Sequence, residues 1–262
     1  MKVREKKTTQ ATRKAPTDDD SGALTSVIAM WSGPRNISTT MMRSFANRPD
    51  MAAIDEPFYA AFLARTGAAH PYREETLAAW PQTFDGVLSW IASRTEKPAL
   101  FLKHIAYHLP DGVDFSFLRG WRNFLLIRDP RAMVASFADR FEDVTPIVRS
   151  YEIELAIRVY LAREGIPCPV VDAADMLAAP EPTLRALCAS LGLPFDPSML
   201  AWPDGPRPED GPWAPHWYAA VRASTGFKPP VEKKITLPRE LEAVAAAAMP
   251  AYEKLRSCRL TA

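Results

Sequence analysis

The chain has 262 residues, 47% of them apolar and 10% aromatic, enough to bury a core and too apolar for global disorder. Its 32 Lys and Arg against 31 Asp and Glu leave a formal charge of +1, so no nucleic acid partner is expected and any anion site must be a local cluster. Cys168, Cys188 and Cys258 form no CxxC pair, which argues against a disulfide framework or a Cys-rich zinc site and fits a reducing, cytoplasmic setting.

Residues 1–22 carry six Lys or Arg, then Asp18-Asp19-Asp20, and almost no large aliphatic side chains. Such a segment buries too little apolar surface to offset its chain entropy, so a disordered tail is expected; a basic arm is the alternative. It has no apolar core of a secretory signal, and no apolar run anywhere in the chain is long enough to span a membrane. From Leu24 the pattern changes. Nearly continuous apolar runs at 25–31, 51–55, 99–103, 123–127 and 169–172 read as parallel strands covered on both faces.

Between these runs lie helical repeats: Ile37, Met41 and Phe45; Phe84, Leu88 and Ile91; Val134 and Phe137; Ile153, Ile157 and Leu161. Strand–helix alternation implies right-handed crossovers and a doubly wound α/β sheet. Prolines crowd residues 194–238, a long turn-rich connection of the kind that is usually functional. The last stretch, from Arg239, reads as a helix interrupted at Pro250.

Ligands of an open α/β sheet sit beyond the carboxyl ends of its strands, so the residues just after each strand carry the chemistry. After the first strand, Ser32-Gly33-Pro34-Arg35-Asn36-Ile37-Ser38-Thr39-Thr40 runs into a helix, where backbone amides, hydroxyls and a guanidinium make an anion cradle. A plain helix start capped by Ser38 or Thr39 is the alternative. No GxxxxGK[ST] occurs and no Lys lies between positions 15 and 96, which disfavours an NTPase. After the fourth strand comes Arg128-Asp129-Pro130-Arg131, with Ser136 two turns on; Asp129 caps the helix that Pro130 opens. Arg128 and Ser136 together suit one phosphate, unless Arg128 merely pairs with an acid.

Strand–GPRNISTT–helix followed by strand–RDPRAMVAS–helix resembles the sulfotransferase superfamily that uses 3′-phosphoadenosine 5′-phosphosulfate. The resemblance covers roughly residues 25–230 and is strongest to bacterial sulfotransferase-like proteins with SGPRNIST, DEPFYA, RDPR and a late STGF. It implies a P-loop-type three-layer α/β fold with a mainly parallel sheet of about five strands, in a single domain over residues 23–262. It also implies that Arg35, Asn36, Ser38, Thr39 and Thr40 hold the 5′-phosphosulfate, while Arg128 and Ser136 hold the 3′-phosphate. Gly226 and Lys228, in a short match from Arg222, correspond to the segment that closes over the nucleotide.

The resemblance offers two catalytic bases, Glu56 in Asp55-Glu56-Pro57 and His104 in Leu102-Lys103-His104. Either suits removal of an acceptor proton; Glu56 requires burial to raise its pKa, and His104 does not. His108 ranks third, past the expected strand end. Arg35 is expected to stabilise charge on the transferring group, with Lys103 as a secondary candidate or a snorkelling surface lysine. Trp213, His216, Trp217 and Tyr218 read as packing of one helix, an acceptor wall or part of a lid. The four histidines lack HExxH and a flanking acid, so no metal site is expected. The implied function is sulfuryl transfer to a hydroxyl, or an amine, of a small-molecule acceptor. A nucleotide-binding pseudo-enzyme and a P-loop kinase-like enzyme are the alternatives.

Overall fold

A computed structural model of the chain describes residues 26–229 and 235–261. The expected tail at 1–22 lies outside the described residues. Five parallel strands, β1 (Ser26–Ser32), β2 (Met51–Asp55), β3 (Ala99–Ile105), β4 (Arg122–Ile127) and β5 (Val170–Asp172), form one sheet in the order β2-β3-β1-β4-β5. These are the five apolar runs, because a strand covered on both faces must be apolar at every position. β3 runs two residues past its expected end.

Eleven helices are described: α1 (Ser38–Ala46), α2 (Tyr59–Thr66), α3 (Arg73–Ala79), α4 (Phe84–Ala92), α5 (Pro130–Ala138), α6 (Pro146–Arg163), α7 (Ala173–Ala178), α8 (Pro180–Ser190), α9 (Ala214–Trp217), α10 (Ala219–Arg222) and α11 (Arg239–Arg256). They sandwich the sheet. Period-two alternation sends Ile28, Met30 and Phe101 to one face, against Met41 and Phe45 of α1 and Leu184 and Leu187 of α8. Ala29, Trp31, Leu102 and Leu125 face the other side, against Met133 of α5, Ile157 of α6 and Leu255 of α11. Phe45 stacks on Phe101 with ring centroids 4.4 Å apart, and such a fully buried ring is worth about 1.5–3 kcal/mol.

One sequence expectation fails here. α11 continues through Pro250 instead of breaking. Proline removes one backbone hydrogen bond, but Ala245, Ala248, Tyr252 and Leu255 on both sides of it are buried against the core, and that burial holds the helix together.

The connections leave the neighbouring strands β1 and β4 in opposite directions: α1 leads from β1 toward the β2 edge, and α5 and α6 lead from β4 toward the β5 edge. Their diverging connections open a crevice at the carboxyl ends of β1 and β4.

Candidate active site

A cavity of about 450 Å³ fills that crevice. At one end lies the loop after β1. Arg35 sits there in the left-handed backbone region, φ 57°, while Ile37 keeps an ordinary φ of −63°. The β-branched residue is therefore spared, and the strain of the turn falls on Arg35. The Asn36 side-chain amide donates to the Leu126 carbonyl of β4, and its Oδ1 accepts from the Ile37 amide at 3.0 Å. Asn36 lines the cavity but spends its side chain tethering the loop.

No side chain caps α1. Ser38 and Thr39 thus keep their hydroxyls for the cavity, which Thr40 also lines; the Ser38 amide donates to the Asn36 carbonyl, which leaves the Thr39 and Thr40 amides as the open donors of this helix start. This differs from the capped-helix alternative.

Asp129 does cap α5, accepting from the Arg131 and Ala132 amides at 2.8 and 3.2 Å, as its place before Pro130 predicts. Arg131 is structural: it bonds Glu242 of α11 at 2.6 Å and the Ile235 carbonyl at 3.1 Å. Arg128 turns the other way and donates to the Arg35 carbonyl at 2.6 Å. Arg35 Nε in turn donates to Ser136 Oγ at 3.1 Å. The two motifs, a hundred residues apart in the chain, therefore meet. Burial, reinforced by Arg140 and Arg128, lowers the Arg35 guanidinium from its ordinary value, and burial does the same to Arg128. Such a cluster of desolvated cations is relieved by an anion. Gly226 and Lys228 line this end as well. Gly226 bridges to Ala201, and an added Cβ would stand 3.1 Å from the Leu200 carbonyl oxygen.

The other end of the cavity belongs to Glu56. It too is left-handed, with φ 44°, on a sharp turn: its N–H donates to the Lys103 carbonyl at 2.8 Å, and its carbonyl accepts from Tyr59 N–H, opening α2. The turn aims the carboxylate into the crevice, 13% of the side chain exposed. Burial pushes the Glu56 carboxyl up to about 7; Lys103 opposes the rise and Asp55 adds to it. Lys103, 1% exposed, is no snorkelling surface residue: its Nζ donates to Glu56 Oε1 at 2.6 Å, Asp55 Oδ1 at 2.7 Å and Tyr218 OH at 2.9 Å.

His104 is not at this site. It lies within β3, 1% exposed, on the face opposite Lys103, and stacks on Trp31 with ring centroids 4.0 Å apart. It does not line the cavity, neither ring nitrogen has a hydrogen-bond partner, and burial depresses its pKa to about 3. The extra two residues of β3 explain the difference: they place His104 inside a strand, where period two sends it to the core. His108, after the strand, does reach the cavity. Its Nδ1 is 4.0 Å from Glu56 Oε2, and its ring stacks on Tyr59 at 4.8 Å. Burial holds it well below the ordinary imidazole range, hence neutral.

The aromatic cluster is two short helices rather than one: Trp213 precedes α9, Trp217 ends it, and Tyr218 separates it from α10. These three line the cavity, and His216 is exposed. The chain approaching them is anchored to α1 by Arg43, a buried cation with Glu209 at 3.2 Å and Asp210 at 2.7 Å. Sequence reasoning missed Arg43 and Asp55; the one available signal was a charge inside an otherwise apolar run. Among the described residues no cluster of His, Cys, Asp and Glu could hold a metal ion, and no helix is long and apolar enough to cross a membrane.

A sulfotransferase domain family model matches residues 26–259. Branched-chain-amino-acid aminotransferase-like protein 1 of Arabidopsis thaliana is 39% identical over 236 residues, covering 88% of this chain and 42% of that protein. The chain thus spans about two fifths of the length of the curated relative it matches. Among solved structures, a sulfotransferase from Alicyclobacillus acidocaldarius superposes with a TM-score of 0.53 at 11% identity, over 89% of this chain and 96% of that one. The sulfotransferase domain of the Synechococcus PCC 7002 olefin synthase gives 0.51 at 16% identity, over 89% and 98%. These two likenesses establish the fold.

Proposed function

This chain belongs to the sulfotransferase domain family, and from that premise we propose that it moves a sulfuryl group from 3′-phosphoadenosine 5′-phosphosulfate to a hydroxyl, or secondarily an amine, of a small-molecule acceptor. The observation that carries the reading is the 3.1 Å bond from Arg35 to Ser136, which brings both anion-binding motifs to one cavity with Glu56 at its other end. The residues fit a doubly anionic donor: two desolvated guanidiniums, the hydroxyls of Ser38, Thr39, Thr40 and Ser136, and the open Thr39 and Thr40 amides converge there.

In this reading Arg35, Ser38, Thr39 and Thr40 hold the 5′-phosphosulfate, and Arg128 and Ser136 hold the 3′-phosphate. Gly226 and Lys228 cover the nucleotide. The donor supplies the activated sulfuryl group, whose bond to the 5′-phosphate breaks as the acceptor O–S bond forms. Glu56 takes the acceptor proton, and Arg35 stabilises the charge left on the 5′-phosphate. Such transfers have loose, charge-spread transition states, so a rigid positive cradle supplies most of the rate. The aromatic wall of Tyr59, Trp213, Trp217 and Tyr218 seats the acceptor and excludes water.

The test is thermal unfolding with adenosine 3′,5′-bisphosphate against Mg·ATP. Bisphosphate at 100 times its dissociation constant should stabilise by about 2.7 kcal/mol. A shift with ATP and none with bisphosphate would reverse the reading toward a kinase-like enzyme. Tight bisphosphate binding without transfer to any of a broad acceptor set would make the protein a nucleotide-binding pseudo-enzyme.

A further inference from the structure

Lys103 answers two carboxylates at once, and a tyrosine from a distant segment answers one of them. Lys103 Nζ lies 2.7 Å from Asp55 Oδ1 and 2.6 Å from Glu56 Oε1. Tyr218 OH donates to the second oxygen of Asp55 at 2.5 Å, and Trp213 Nε1 donates to Tyr218 OH at 3.2 Å. Asp55, Lys103 and Tyr218 are all buried. One cation between two desolvated carboxylates cannot fully serve both, so whatever satisfies Asp55 releases the cation toward Glu56.

We propose that Asp55 and Tyr218 are positioning residues, which act through Lys103 to orient the Glu56 carboxylate and to set how tightly it holds a proton. The proposal rests on Glu56 being the base of the function proposed above. Tyr218 accepts one proton of Lys103 at 2.9 Å and passes a hydrogen bond of its own to Asp55, so the second Asp55 oxygen makes no further demand on Lys103, and Asp55 pins Lys103 where its remaining proton meets Glu56. Because Tyr218 belongs to the same short segment as Trp213 and Trp217, the base is matched to its acceptor only while that segment is seated. The other groups facing Glu56 are His108, held neutral by burial, and Tyr59 and Tyr107, both held protonated by burial. None of them supplies a competing cation.

The two residues pull Glu56 in opposite directions, and this separates the proposal from a merely structural role. In Tyr218→Phe, Asp55 loses its second donor and draws Lys103 away, so Glu56 should titrate about half a pH unit or more higher. In Asp55→Asn, a neighbouring negative charge disappears and Lys103 serves Glu56 alone, so Glu56 should titrate lower by a similar amount. The measurement is a titration of the carboxyl carbon in the full chain labelled with [13C]glutamate, the Glu56 signal identified by its loss in Glu56→Gln. It needs no acceptor.

Shifts of opposite sign bear the proposal out. Shifts of the same sign, or no shift in either variant, overturn it. Should Asp55→Asn fail to fold, the isosteric Tyr218→Phe decides alone, and no upward shift overturns the proposal. Calorimetry with adenosine 3′,5′-bisphosphate on the same samples tests the donor reading separately, since neither substitution lies at the anion end.

Discussion

Arg35 and Ser136 lie 101 residues apart and are joined by a 3.1 Å hydrogen bond from Nε to Oγ. With Arg128 holding the Arg35 carbonyl at 2.6 Å, the bond joins the loop after β1 and the helix after β4 at one end of the cavity. Arg35 keeps its Nη groups for a ligand. Arg35→Ala should lower turnover by about 10²–10³, the usual loss for one preorganised donor at a developing charge. Sulfuryl-transfer rates of a variant with wild-type melting temperature check this. A loss below about tenfold takes Arg35 out of the role.

Arg128 and Ser136 are assigned to the 3′-phosphate, so their loss should be felt only by ligands that carry one. Arg128→Ala should weaken adenosine 3′,5′-bisphosphate by about ten- to a hundredfold, as expected for a charge-assisted pair of roughly 1.5–3 kcal/mol. Adenosine 5′-monophosphate should bind the variant and the wild type alike. Calorimetry with both nucleotides decides it. Equal weakening of the two would mean that Arg128 only shapes the loop.

Glu56 acts as a base only when ionised, and burial has pushed its carboxyl up to about 7. Turnover should therefore rise with pH through neutrality and level off above it, falling about tenfold per unit on the acid side. Glu56→Gln should remove that limb and cost about 10²–10⁴ in rate. If the limb persists in Glu56→Gln, another group is the base, and His108 at 4.0 Å is next in line.

His104 predicts an acid sensitivity of stability rather than of catalysis. Its folded pKa is depressed by burial to about 3, below the unfolded value of 6.5, so the unfolded chain binds the proton first. Stability is complete above pH 6.5 and declines as pH falls toward 3, by about 1.4 kcal/mol per pH unit from this residue. In His104→Phe that contribution should vanish, so the urea-unfolding free energy of the variant rises relative to that of wild type as the pH falls from about 6 to about 4. A gap independent of pH between 6 and 4 would show that the imidazole is not buried neutral.

Arg43 is the buried cation that fastens the proline-rich connection to α1 through Glu209 and Asp210. Removing it leaves two nearly buried carboxylates with only Arg207 at 3.3 Å and Arg222 at 3.4 Å. Arg43→Met should destabilise by about 3 kcal/mol, the low end for breaking a buried pair because those two arginines remain. Urea denaturation reads it directly, and a change under about 1 kcal/mol would place the holding force elsewhere.

The sheet was legible in the amino acids alone, since strands covered on both faces must be written as unbroken apolar runs, and β2 was read to the residue. The residues that would meet at the crevice were equally legible: Arg35 and Arg128 lie just past strand ends, Ser136 two turns into the helix that follows, and the carboxyl ends of parallel strands in a doubly wound sheet open on one crevice, which all three line. The choice between bases was not. Lys103 and His104 are adjacent in sequence, and only the true end of β3 and the pairing of His104 with Trp31 across the sheet decide which faces the cavity and which the core. Nor did local pattern disclose that Lys103 is buried between two acids or that Tyr218, 163 positions from Asp55, completes the group. Such partners are chosen by how distant segments pack, and a charge in a sequence carries no mark of the one it will meet.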